Sequence, residues 1–416
     1  MNNTQTFLVG GAVRDLLMGL VPKDRDYVVV GTTADQMLAN GFSQVGADFP
    51  VFLHPETGEE FALARRERKT GTGYNGFTCE FGTDVTLEED LARRDLTINA
   101  MALKPESMGG NLLIDPFGGK SDLDNKVLRH VSADAFREDP VRVLRLARFR
   151  ARFGAEWTVD PMTVETVRHM GQDGVLAELT AERVWKELSR ALTEPFPRLF
   201  FDTLRECSVL FDLFPEVANL MLCTENPKWH PEGNTYEHTM LVLTAASKLN
   251  PGSLEAAFFA LTHDFGKAAV PAHLHPKFYG HAELGVPLVE AFCDRLKVDS
   301  KLRKHARLMS RFHMHMHQLD KMKASTFVKM FEQMDAFRDD EVVEHLMWLG
   351  AADQRGRLGF HDAEFGHLFL VTNLWAAASS VRFADLDVPP PPVTKPERVK
   401  ELMFRARTKE VAKWQK

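Results

Sequence analysis

Two patterns of apolar positions divide the chain near Asp139. Before it, short runs rich in β-branched and aromatic residues, Phe7–Val9, Tyr27–Val30 and Phe61–Ala64, are set among Gly and Asp turns. Such compact runs predict buried strands. Gly10-Gly11 end the first run, and Ala12–Gly19 reads as a short helix. Beyond Asp139 the spacing changes to threes and fours, as in Val141, Leu144, Ala147 and again in Val184, Leu188, Leu192, and strand signals fade. Pro389–Pro392 reads as a stiff extended connector before a last helix near Glu397–Trp414. The expected fold is therefore of α+β class, an α/β head followed by an all-α body. With 416 residues, two or more cores are expected.

Composition narrows the setting. No apolar run approaches the roughly 20 residues that span a bilayer, and Met1–Gly11 lacks a basic stretch followed by an apolar one, so neither a membrane span nor a signal peptide is expected. Cys79, Cys207, Cys223 and Cys293 show no CxxC spacing, which suits a reducing cytoplasm. The net charge of −7 excludes a protein that coats nucleic acid indiscriminately. Basic residues are instead confined to clusters such as Arg65–Lys69 and the run Arg142, Arg145, Arg148, Arg150, Arg152. Taken alone, each cluster also fits a solvated helix face.

Three features carry chemistry in the first part. Gly10-Gly11 lie between a strand and a helix, where a backbone can approach a phosphate closely and Arg14 can add a charged fork. Asp24 and Asp26, two apart at the start of a strand, are expected on one face beside that turn. Paired carboxylates repel unless a cation lies between them, and Mg²⁺ accepts such ligands while holding phosphates. In Glu89–Ala100, read as a helix, Asp95 and Asn99 become neighbours one turn apart, next to Arg94. Likewise Asp139 and Arg142, read as one helix face, place an acceptor beside a donor fork, with Arg145 and Arg148 continuing the stripe. A tight turn, a solvated strand entry and salt-bridged helices are the alternatives for these features.

The motifs GGAVRD at Gly10–Asp15, KDRDY at Lys23–Tyr27, RRDLTIN at Arg93–Asn99 and EDPVRVLR at Glu138–Arg145 occur in the order found in class II tRNA nucleotidyltransferases. Over essentially its whole length the sequence resembles the bacterial multifunctional CCA proteins. The resemblance implies a polymerase-beta-like head that adds CCA to tRNA from CTP and ATP. Gly11 and Arg14 would bind nucleotide, Asp24 and Asp26 would hold Mg²⁺, and Glu60 resembles a third carboxylate of the site. Arg94 would bind triphosphate and Asp95 the ribose. Asp139 and Arg142 resemble a protein template that reads the edge of C or A, with Arg145 and Arg148 near phosphate. Lys69–Phe81 resembles the loop that helps the switch from CTP to ATP. Lys104–Gly110 is a longer turn than close relatives carry.

In the second part, the apolar run Ala256–Thr262 ends in His263-Asp264, followed by Gly266 as a helix cap and Lys267. His238, His281, His313 and Asp353 are further candidates for one metal centre. Their order resembles the HD phosphohydrolase superfamily. By that resemblance His238, His263, Asp264 and Asp353 would hold a divalent ion, Ni²⁺, Mn²⁺, Co²⁺ or Mg²⁺. The site would hydrolyse 2′,3′-cyclic phosphates, 2′-nucleotides and phosphomonoesters. His273, His275, His315 and His317 are read as surface or satisfied residues. The expected domains are a head at 1–139, a helical neck with the base-reading helix at 140–227, an HD domain at 228–345 and a helical tail at 346–416. A monomer or homodimer is expected. A poly(A) polymerase, an HD nucleotide hydrolase with a nucleotide-binding head, and a non-catalytic tRNA-binding module are the rival readings.

Overall fold

The computed structural model describes residues 4–45, 51–69, 77–104, 112–386 and 395–414. Pro389–Pro392 and most of the Lys104–Gly110 turn lie outside them, as does the centre of Lys69–Phe81. The chain divides into two compact units, one of residues 1–191 and 199–213, the other of residues 192–198 and 214–416.

In the first unit, β1 (Gln5–Val9), α1 (Gly11–Leu17), β2 (Asp26–Val30), α2 (Ala34–Ala39), β3 (Ser43–Val45), β4 (Val51–Leu53) and β5 (Glu60–Leu63) follow in order. β6 (Arg65–Lys69) and β7 (Phe77–Phe81) pair with each other as a separate antiparallel ribbon. α3 (Leu87–Ala92), β8 (Ala102–Leu103) and β9 (Leu113–Ile114) complete the head. The main sheet runs β3-β4-β5-β2-β1-β8-β9. Its pairs are antiparallel except β2 with β5, where Asp26 lies opposite Glu60.

β2 is apolar from Val28 to Val30 because both faces of the sheet are covered there. Val28 packs with Phe7, Val9, Leu91 and Ala100, whereas Val29 packs with Met37, Phe52 and Leu63. Alternate residues of a strand face opposite sides, so Asp26 shares the face of Val28. That alternation aims a carboxylate over the α3 side of the sheet. Asp24 lies in a bend before the strand begins, not on it as the pattern predicted.

The helical part of this unit contains α4 (Gly119–Asp124), α5 (Ala133–Glu138), α6 (Val141–Phe153), α7 (Pro161–Gln172) and α8 (Ala181–Leu192). Asp139 does not continue α6 backward, as its spacing from Arg142 had suggested. It is extended (φ −130°, ψ 92°), with Pro140 as the N-cap of α6. The ring of a proline disfavours helical geometry in the residue before it. Similarly, α3 stops at Ala92, and Asp95 sits in an irregular turn before the 3₁₀ turn Thr97–Asn99.

The second unit is helical. Thr235–Leu249, Leu254–Thr262, His281–Leu296, Ser300–Phe312 and Glu341–Arg355 are its longer elements around the histidines, and Pro396–Lys413 is the last helix. Every residue from Ala256 to Thr262 is buried, as expected of a helix apolar on all sides. Gly266 is not a cap. It lies within the 3₁₀ turn Phe265–Ala269, where a Cβ would fall 1.9 Å from the His281 carbonyl oxygen. Its missing side chain lets that turn press against the His281–Leu296 helix.

Candidate functional site

In the first unit a cleft of about 1000 Å³ opens over the Gly10-Gly11 turn. Its walls gather Gly11, Arg14, Asp24, Asp26, Arg94, Asp95, Asp139, Arg142, Arg145 and Arg148, which the sequence scatters over more than a hundred positions. Ten Arg or Lys side chains face five Asp or Glu there, so the cleft reverses the sign of the chain's net charge. Gly10 has φ +69°, and a Cβ on it would meet Arg94 Nη1 at 2.8 Å. The glycine thus makes room for the guanidinium.

Ion pairs hold the walls in place. Arg14 is buried, donates to Asn99 Oδ1 at 2.5 Å and to Asp15 Oδ1 at 2.7 and 2.9 Å, and lies over the Phe149 ring. Asp95 accepts from Arg145 Nε at 2.8 Å, from Asn99 Nδ2 at 3.0 Å and from the Leu96 amide at 2.8 Å. Burial opposes its charge, but Arg145 and these donors outweigh it and bring the carboxyl down to about 2. Arg148 donates to Glu187 at 2.7 Å and Arg94 to Asp90 at 3.1 Å.

The Asp139–Arg142 pair is also fixed. Arg183 on α8 donates to both Asp139 oxygens at 2.8 and 2.9 Å, and Arg142 Nη1 donates to the Ala135 carbonyl at 2.7 Å. Arg183, Lys186 and Arg190 line the cleft and were not singled out from the sequence. Their spacing of three and four along α8 was a visible signal of a shared face.

Asp26 tests whether this cleft suits a cation. Burial raises its pKa, Arg94 lowers it and the neighbouring Asp24 raises it again. A divalent ion held between the two carboxylates would relieve that repulsion. Glu60 is next to Asp26 in register but exposed, and it is not among the residues lining the cleft.

In the second unit, Asp264 is the centre of a buried cluster. His263, His281 and His313 place Nε2 at 3.2, 3.4 and 3.5 Å from its oxygens, and Lys267 Nζ lies at 2.8 Å. His238 Nε2 is 3.1 Å from Asp353 Oδ1. Each ring has its other nitrogen occupied. Nδ1 of His263, His281 and His313 lies 2.7–2.8 Å from the backbone carbonyl three residues earlier, and Nδ1 of His238 lies 3.1 Å from Glu232. Carbonyl acceptors fix Nδ1 as the protonated nitrogen, leaving Nε2 lone pairs facing the carboxylates. His263 Nε2 is buried with no hydrogen-bond partner. Nitrogen lone pairs converging on carboxylates are the donor set of a divalent metal, so the residues present fit such an ion.

Electrostatics bind the cluster together. Burial disfavours charge on His238, yet its bonds to Asp353 and Glu232 raise it to about 9. Burial lowers His313 to about 4 against the pull of Asp264. Asp264, beside His263 and Lys267, and Asp353, beside His317 and His238, stay well below the usual carboxylate range despite burial. His317, read as a surface or satisfied residue, is satisfied by the cluster itself: Nε2 is 2.6 Å from Asp353 Oδ2, and the residue lines a cavity of about 390 Å³ beside it. Glu225, which accepts from Lys267 at 2.7 Å, and Glu232 were not foreseen either.

A carboxylate-bearing sheet under a basic cleft, and a separate histidine–aspartate centre in a helical unit, define a polymerase-type head joined to an HD-type domain. Comparison with known proteins gives that division its names. Residues 6–129 match the poly A polymerase head domain, residues 157–221 the family described as "Probable RNA and SrmB-binding site of polymerase A", and residues 235–339 the HD domain. The chain carries these three domains in that order. It is similar to the apo form II structure of a CCA-adding enzyme, at 21% identity and TM-score 0.64, over 99% of this chain and 91% of that one. A CCA-adding enzyme in complex with CTP matches at 22% identity and TM-score 0.62, over 99% and 88% of the two chains. The Thermotoga maritima CCA-adding enzyme complexed with tRNA matches at 21% identity and TM-score 0.62, again over 99% and 88%. The chain therefore has the fold of the CCA-adding enzymes. Among the described residues no helix is long and apolar enough to cross a membrane.

Proposed function

We propose that this chain is a cytoplasmic CTP/ATP:tRNA nucleotidyltransferase that builds and repairs the 3′-terminal CCA, with its head at 1–139, the base-reading helix in 140–227, a phosphohydrolase domain at 228–345 and a helical tail at 346–416. The observation that carries the reading is the single cleft shared by Asp24, Asp26, Asp139 and Arg142. Carboxylates for a metal, guanidinium groups for a triphosphate and a donor–acceptor pair for a base edge are what untemplated nucleotidyl transfer needs together.

Asp24 and Asp26 would hold Mg²⁺, which when bound neutralises phosphate charge and eases loss of the proton from the attacking 3′ hydroxyl. Arg14 and Arg94 would bind the triphosphate beside the Gly10-Gly11 turn, and Asp95 would orient the ribose. Arg183 and the Ala135 carbonyl hold Asp139 and Arg142, so acceptor and donor meet an incoming base in a fixed order. C and A offer an amino donor beside a ring-nitrogen acceptor, whereas G and U present the opposite order at those positions. Arg145 and Arg148, anchored by Asp95 and Glu187, would support phosphate binding.

A second activity is favoured by the Asp264 cluster. His238, His263, Asp264 and Asp353 would hold a divalent ion, Ni²⁺ among the candidates, which when bound supplies an activated water for attack on a phosphate ester. Lys267 would meet phosphate charge from the cavity wall. Hydrolysis of 2′,3′-cyclic phosphates, 2′-nucleotides and phosphomonoesters fits this set.

The test is a tRNA transcript lacking its last three nucleotides, incubated with Mg²⁺ and CTP, ATP or both, and sequenced at its 3′ end. Ordered addition of C, C and one A is expected. Asp24→Ala should abolish it while sparing phosphate release, and His263→Ala should do the reverse. A run of A from ATP alone would move the chain to the poly(A) polymerases.

A further inference from the structure

A second group of potential ligands lies outside the Asp264 cluster. His305, on the Ser300–Phe312 helix, and Glu341 and His345, on the Glu341–Arg355 helix, each place one ligand atom within 4.8 Å of the others. Glu341 and His345 are one turn apart and share a helix face. His305 and His345 are 1% and 6% exposed, and His345 Nδ1 is buried without a hydrogen-bond partner. Buried polar atoms in folded proteins nearly always have partners, so an orphan beside two other donors calls for one.

Two details match the way metals are held. His305 Nε2 lies 2.9 Å from Asp339 Oδ2, and Lys304 Nζ reaches the same oxygen at 2.9 Å. A carboxylate accepting one imidazole N–H fixes the tautomer and leaves the other nitrogen as the lone pair, the usual support of a ligating histidine. The two imidazole centroids are 5.1 Å apart. Rings bound at about 2.1 Å in tetrahedral geometry would have centroids roughly 5 Å apart. Glu341 is exposed and paired with Lys301 at 2.6 Å, so the carboxylate is reachable from solvent.

We propose that His305, His345 and Glu341 form a second transition-metal site that clips the Ser300–Phe312 helix to the Glu341–Arg355 helix. Two imidazoles and one carboxylate select Zn²⁺, Co²⁺ or Ni²⁺ over Mg²⁺. The position gives the clip a consequence. His313 follows His305 by eight residues and Asp353 follows His345 by eight, about 12 Å along each helix. One ion would thereby fix the separation of the two helices that deliver His313 and Asp353 to the phosphohydrolase cluster. The site itself rests on none of the activities proposed above.

The experiment uses the metal-stripped full-length protein titrated with Co²⁺ in excess Mg²⁺, read by visible d–d absorption and equilibrium dialysis. Wild type should bind one equivalent more Co²⁺ than Glu341→Gln or His345→Gln. Asp339→Asn should keep the stoichiometry but weaken that ion by about 10–100-fold. Because Glu341 is exposed, Glu341→Gln keeps the test decisive even if His345→Gln fails to fold. In a double variant with His263→Ala, the two losses of bound ion should add, which assigns them to separate sites. If His263→Ala alone loses no ion while Glu341→Gln does, the Asp264 cluster is no metal centre and the clip stands. Equal Co²⁺ stoichiometry and affinity in wild type and Glu341→Gln would overturn the proposal.

Discussion

Asp95 shows how a single residue in the cleft is tuned. Its carboxyl is buried yet lies at about 2, against an ordinary 3.8, because Arg145, Asn99 and the Leu96 amide outweigh desolvation. A depressed carboxyl stabilises the fold above its ordinary value and loses that contribution as pH falls through the folded one. Asp95→Asn should therefore cost on the order of 2 kcal/mol above about pH 4, with the difference from wild type vanishing as pH approaches about 2. Denaturant unfolding of both proteins across that range measures it. A pH-independent difference would mean that packing, not charge, is what the substitution disturbs. At this scale the sequence was most readable for residues in local motifs. Asp24, Asp26 and Asp139 were visible beside their turns and helices, and the cleft does collect them. Arg183 and His317 were not, since their partners Asp139 and Asp353 lie 44 and 36 residues away. No local pattern reports a pairing made by tertiary folding.

Elements were legible in kind and less so at their ends. The runs at Phe7, Tyr27 and Phe61 are strands because both sheet faces bury them, and the threes and fours beyond Asp139 are helices. The errors fall at boundaries, where one residue decides. Asp139 was placed on α6 although Pro140 follows it, a restriction present in the sequence itself. Gly266 was read as a cap, but its role is contact between elements. A Cβ there would meet the His281 carbonyl oxygen at 1.9 Å and the Gly285 nitrogen at 2.5 Å, backbone atoms that do not rotate away. Gly266→Ala should destabilise the protein by about 3 kcal/mol or more and, by displacing His281, impair the phosphate release proposed for this cluster. Unfolding curves together with phosphatase assays would show both effects. Unchanged stability would mean that the turn and helix can separate without loss.

At the scale of the whole chain, a net charge of −7 coexists with a cleft where Arg and Lys outnumber Asp and Glu two to one. Affinity for tRNA should fall steeply with salt, as counterions released on binding are recovered by the solvent. Lys186→Ala should weaken binding alike for different tRNA sequences and reduce the slope of log K against log salt by about one. Filter binding over a salt series would test this, and an unaltered slope would remove Lys186 from the phosphate contacts. The same charge arrangement governs what happens where no reaction occurs. A polyanion that meets the molecule elsewhere encounters, on balance, like charge and is turned away, so encounters that last are those that begin at the cleft. For the tRNA substrate proposed above, selection at the cleft thus starts before any base has been read.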